Sequence, residues 1–163
     1  MKIIGEHTHN FSALMIQLGM HIDHLINGNP INGRVYNHIL IEHDGYVYEA
    51  IGHGVVKWTL AEHNAQRKVK NHCKRIEFNL DLTKIELHKA LSYLENQKGK
   101  KYEYANFYWH LKKIFTNKWK GDKTDKKLYC TELVIRAMNF TGKYNIDPYL
   151  NPIEIRELLR III

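Results

Sequence analysis

Hydrophobic and polar positions along this chain change their rhythm near the middle, from the alternation of strands to the three-to-four-residue return of helices. Lys2 to His7 reads as a short strand. Ser12 to Ile26 reads as a helix, with Leu14, Leu18, Ile22, Leu25 and Ile26 near helical spacing, and Gly28-Asn29-Pro30 and Asn32-Gly33 mark the loop after it. The clearest β signal follows. Val35 to Glu42 and Tyr46 to Ile51 are rich in β-branched, aromatic and aliphatic residues and flank His43-Asp44-Gly45, and Asp-Gly is a strong hairpin signal. Gly52, His53 and Gly54 end the second strand, Val55 to Trp58 begins another, and Lys74 to Leu80 alternates as a strand should. Further on, Thr83-Lys84-Ile85-Glu86 has the form of a capping box, leading into a stripe of Leu87, Ala90, Leu91 and Leu94. Tyr104, Phe107, Tyr108, Leu111, Ile114 and Phe115 make a second stripe. Another helix is expected from near Cys130 to Phe140, burying Leu133, Val134, Ala137 and Met138, and Asn151-Pro152-Ile153-Glu154 starts a last one. Gly52 to Gln66 and Asn117 to Lys127 are expected as loops around a cleft. The pattern predicts an α+β fold, a small antiparallel sheet packed against helices.

Length narrows this to one domain over residues 1–163, with no internal repeat or low-complexity linker. No run approaches the ~20 apolar residues of a transmembrane helix, so no transmembrane segment is expected. Met1 to Glu6 lacks the apolar run of a secretory signal, which favours a cytoplasmic location. Cys73 and Cys130 are the only cysteines, enough for one bridge but too few for a disulfide framework or a four-cysteine zinc site. A reduced setting suits them better. The Lys/Asn/Ile-rich composition points toward an AT-rich genome, such as that of a phage or other virus.

Charge adds a second theme. The formal net charge is +7, and Lys98 to Lys127 holds ten lysines against Glu103, Asp122 and Asp125. Arg67, Lys68, Lys70, Lys74 and Arg75 form another basic group. Such segments suit an anionic surface or a lysine-rich solvated face. No phosphate loop or nucleic-acid fold signature accompanies them.

Candidate chemistry centres on Cys130, placed where loop gives way to helix. A thiol there feels the positive end of the helix dipole, and the free N–H groups of the first turn suit an oxyanion. A two-residue Asp44-Gly45 turn sets His43 opposite Tyr46, Glu42 opposite Val47, Leu40 opposite Glu49 and His38 opposite Ile51. Glu49 is then a diagonal neighbour of His38 on the same face. Glu42 shares that face but lies roughly 13 Å along the strand, so Glu49 is the better orienter of the imidazole. A turn one residue longer would reverse the assignment. Spacing alone also leaves the bland reading open: cysteine is often core, and the chain has eleven histidines.

The same residues carry a family resemblance. Val35 to Ile51 followed by Gly54-Val55-Val56, then Gly99-Lys100-Lys101-Tyr102-Glu103-Tyr104, then Tyr129-Cys130-Thr131-Glu132-Leu133-Val134, then Asn151-Pro152-Ile153-Glu154, resemble in order the blocks of circularly permuted papain-like cysteine hydrolases. These belong to the NlpC superfamily, the YiiX/YaeF-like branch, distantly related to lecithin retinol acyltransferase. The resemblance implies an NlpC-type fold, Cys130 as nucleophile, His38 as general base and Glu49 as third member. Tyr129, Tyr102 and Gly54 are candidate oxyanion or substrate contacts. No metal or cofactor is implied. The implied substrates are a peptide, peptidoglycan or an acyl lipid, cleaved at an amide, ester or thioester bond. In this order the histidine precedes the cysteine, the reverse of unpermuted papain-like enzymes. Thr131 stands where the family has serine after the nucleophile, and Asn37 where serine often precedes the histidine.

Three other readings compete. One is a non-catalytic basic module using Lys98 to Lys127 to hold nucleic acid or an anionic surface. A second is a lipid acyltransferase using the same cysteine. The third places a metal on His7, His9, His21 and His24, or a metal nuclease on His38, His43 and His53, without the carboxylate cluster such sites need.

Overall fold

The computed structural model describes residues 1–7, 18, 21–22, 24–26, 37–69, 74–105, 108, 112, 115 and 126–149. Five strands build one antiparallel sheet: β1 (Lys2–His7), β2 (His38–His43), β3 (Tyr46–Ile51), β4 (Gly54–Thr59) and β5 (Lys74–Asn79). Their order across the sheet is β4-β3-β2-β1-β5, so the first strand lies between the second and the fifth. The hairpin joining β2 and β3 turns at Asp44 and Gly45, with φ of 47° and 75°. Two successive positive φ values are what a tight turn between right-twisted strands requires. Its register is the expected one: Glu42 faces Val47 and His43 faces Tyr46.

The pleat then divides the side chains between two layers. On one face Ile3, Ile39, Ile41, Tyr48 and Ala50 pack in a cluster with Leu94, Leu133, Val134, Ala137 and Met138. These last come from helices α2 (Lys84–Gln97) and α3 (Cys130–Phe140). Burying each of the isoleucine, leucine, valine and methionine side chains is worth about 1.5–3 kcal/mol, which fixes α3 against the sheet. On the opposite face Ile4, Leu40 and Val47 form a smaller cluster with Trp58 and Leu60. Leu60 begins helix α1 (Leu60–Val69), whose first N–H donates to the Gly45 carbonyl at 2.8 Å. A short parallel pair, β6 (Lys101–Tyr102) and β7 (Lys127–Leu128), completes the described elements.

Two sequence expectations are corrected. Within the expected loop Gly52 to Gln66, the strand begun at Val55 is present as β4, but the stretch from Leu60 to Gln66 is not a loop: it belongs to α1. Thr59 and Glu62 cap that helix reciprocally: Thr59 N–H donates to Glu62 Oε2 at 2.8 Å, and Glu62 N–H to Thr59 Oγ1 at 3.2 Å. Lys127, expected in a loop, pairs as a strand residue with Lys101. The capping box of α2 is present as read, through Thr83 and Glu86. Of the Ser12–Ile26 helix, the described positions 18, 21–22 and 24–26 are helical, and Leu18 and Leu25 are exposed. The rest of that helix, Cys73, most of 106–125 and the helix from Asn151 lie outside the described residues. Among the described residues no helix is long and apolar enough to cross a membrane.

Candidate functional site

Three elements converge at the start of β2. His38 is its first residue, and its Nε2 lies 2.8 Å from Glu49 Oε2 on β3. The diagonal relation drawn from the hairpin register is therefore a direct hydrogen bond. An ionised carboxylate only accepts, so Nε2–H donates and the ring's Nδ1 is left for other chemistry. Cys130, the first residue of α3, comes from the far end of the chain, and its thiol interacts with the same imidazole. The Ile39 backbone N–H and the Thr131 hydroxyl also serve the sulfur, Thr131 Oγ1 at 3.8 Å.

These groups sit out of water, with Cys130 and Glu49 each 3 % exposed. Burial by itself would push the imidazole down. Hydrogen bonds and charge from Cys130 and Glu49 outweigh it and raise His38 from 6.5 to about 10. Burial likewise pushes the Cys130 thiol up; His38, Thr131 and the Ile39 N–H reverse this and leave it below an ordinary thiol. The N-terminus of α3 adds its dipole in the same direction. The favoured charge state is thiolate beside imidazolium, with Glu49 on the imidazolium's other side.

The remaining candidates separate. Tyr102 on β6 interacts with Cys130, and burial together with the negative sulfur holds its phenol well above the usual value. It remains a neutral O–H donor beside the thiol. Tyr129, the N-cap of α3, donates its hydroxyl to the Pro148 carbonyl at 3.1 Å. Gly54 has φ of 117°, and a Cβ there would collide with the Lys100 carbonyl. Its lack of a side chain lets β4 approach the 99–100 segment, where the Val55 N–H donates to the Lys100 carbonyl at 2.8 Å. Among the described residues no three His, Cys, Asp or Glu side chains gather as a metal site.

A wider polar row runs across the same face of the sheet. Glu6 on β1 pairs in register with both His38 and Arg75 of β5, so Glu49, His38, Glu6 and Arg75 come from four adjacent strands. Arg75 Nε donates to Glu6 Oε1 at 2.8 Å. Above the row, α1 lowers His63, which is 2 % exposed. Sequence reasoning missed His63, Arg75 and Glu6. The Thr59-Leu60-Ala61-Glu62 cap would have exposed the helix that carries His63, whereas Glu6 and Arg75 reach the His38 face through strand registers that no short turn fixes.

No protein-family model matches this chain, and no curated protein matches it significantly.

Proposed function

We propose that this protein is a cysteine hydrolase of the circularly permuted papain-like kind, cleaving an amide, ester or thioester through an acyl-enzyme. The observation that carries the reading is one imidazole held between the Glu49 carboxylate and the Cys130 thiol, with the thiol at a helix N-terminus. The ordered motif blocks resembling that family support it independently.

In the mechanism, the Cys130 thiolate attacks the substrate carbonyl carbon and the π electrons move to oxygen. The Cys130 backbone N–H, free of an intrahelical partner at the first helical position, and the Tyr102 hydroxyl are the donors available to the oxyanion. Collapse breaks the bond to the leaving group, which takes the proton from His38. The now neutral imidazole accepts a proton from water as its oxygen attacks the thioester. Collapse of the second adduct releases the acid and returns the thiolate–imidazolium pair. Glu49 keeps the ring oriented throughout. An alcohol or amine in place of water gives acyl transfer by the same steps.

Site-resolved alkylation with iodoacetamide tests this directly. Cys130 is expected to react at pH 6 far faster than a free thiol, and His38→Ala to abolish the advantage. Reaction at an ordinary thiol's pace, with Cys73 equally fast, would sink the hydrolase reading. Salt-sensitive binding to anionic vesicles or DNA, unchanged by Cys130→Ala, would then favour the basic binding module.

A further inference from the structure

His63 occupies a position that the catalytic reading does not use. It is almost fully buried, and its Nδ1 lies 3.2 Å from Arg75 Nη2. A guanidinium has no acceptor atom, so Nδ1 must accept and the ring's proton belongs on Nε2. That nitrogen faces Glu49 Oε1 at 3.8 Å, while the other carboxylate oxygen holds His38. The distance exceeds a hydrogen bond, yet it is short enough for the N–H dipole to act on the carboxylate in a site with little water.

Arg75 is itself fixed. Its Nε donates to the fully buried Glu6 and its Nη2 also reaches Asn64 Oδ1 at 3.1 Å, one residue beyond His63 on α1. The path from Cys130 thus runs through His38, Glu49, His63 and Arg75 to Glu6, with each neighbour offering opposite polarity. Among the described residues, the charged groups facing His63 are Glu49 of β3 and Arg75 of β5, and these in turn hold His38 of β2 and Glu6 of β1.

We infer that His63 is a positioning residue for this site, its tautomer set by Arg75 so that Nε2–H steadies the Glu49 carboxylate against His38. The inference rests on the hydrolase reading and extends it by a second layer drawn from α1 and β5. A histidine that merely filled space would not need an arginine on one nitrogen and a carboxylate facing the other.

The experiment measures the iodoacetamide alkylation rate of Cys130 from pH 5 to pH 10 in the intact protein. It compares wild type with His63→Leu, His63→Gln and Arg75→Met, each checked for native circular dichroism. His63→Leu is expected to lower the low-pH rate about tenfold, the lower end of what losing an outer partner costs a metal-bound histidine. His63→Gln can accept from Arg75 and donate to Glu49, and is expected to restore most of the rate. Arg75→Met frees the His63 tautomer and should fall between them. A wild-type profile in Arg75→Met overturns the inference, and so does a glutamine variant as impaired as leucine. Arg75→Met, on a partly exposed edge residue, decides the matter if the leucine variant does not fold. A wild type with an ordinary thiol profile is a different result, which removes the hydrolase reading itself.

Discussion

Cys130 and His38 are each costly to charge in isolation, because both lie away from water. Together they make the charge separation favourable, and this leaves a signature in stability as well as in reactivity. A histidine whose folded value is raised stabilises the fold fully below its unfolded value near 6.5, and that contribution fades as pH rises through about 10. The depressed thiol works oppositely: its contribution is present above the ordinary thiol range and fades as pH falls through the lowered value. Between those limits both partners are charged. The melting temperature of wild type relative to His38→Gln is therefore expected to be highest near neutral pH and to converge on the variant's by pH 10 and above. A gap that widens steadily into alkali would contradict this assignment. Glu49→Gln gives a milder lesion at the same scale. The amide oxygen still accepts from Nε2–H, so orientation survives, but the negative charge facing the imidazolium is gone. Alkylation of Cys130 at pH 6 should drop by about tenfold, less than in His38→Ala.

At the scale of elements, the site depends on short-range rules that place its parts. Gly54 takes a backbone conformation that side chains rarely adopt, and any Cβ strikes the Lys100 carbonyl. Gly54→Ala is thus expected to cost several kcal/mol, strained by both φ and collision, as urea unfolding would report. Gly45, also at positive φ, would bring an added methyl within 4 Å of nothing, so Gly45→Ala should cost only about 1 kcal/mol. A similar loss in both would mean that the Gly54 contact relaxes freely. Removing the α1 cap with Thr59→Ala should cost about 1 kcal/mol, and because α1 carries His63 the change tests whether that helix is seated by its cap. These elements also show what sequence can reveal. The Asp44-Gly45 turn has few alternatives, so the register and the His38–Glu49 pair are legible from the residues alone. The helix from Leu60 is not, because its polar Glu62-His63-Asn64 run hides its periodicity, although its cap repeats the Thr83-to-Glu86 pattern. Two-residue strands such as β6 and β7 carry no period at all; their pairing follows from tertiary packing, and with it the approach of Tyr102 to the thiol.

Across the whole molecule, the site is assembled from residues that are remote in sequence: Glu6 from an interior strand and Arg75 from the edge strand paired with it, His38 and Glu49 from one hairpin, Cys130 from a helix on the opposite face. Sequence motifs bring Cys130 and His38 to attention, but only the complete sheet and α3 bring them together, so reactivity should report global folding. Its sign is informative. In the unfolded chain Cys130 is exposed and regains an ordinary thiol value near ~8.5, so at pH 6 well under one per cent is thiolate. In the folded protein the thiol is shielded, yet His38 shifts it toward thiolate. Urea titration monitored by Cys130 alkylation should therefore slow the reaction at pH 6, where folding supplies the nucleophile. At pH 10 it should speed the reaction, because an ordinary thiol is then almost fully ionised and folding only hinders access. Each change should share its midpoint with the circular dichroism transition at the same pH, as cooperative unfolding requires. Acceleration on unfolding at both pH values would mean that the folded thiol is simply buried, and that the imidazole beside it does not hold it ionised.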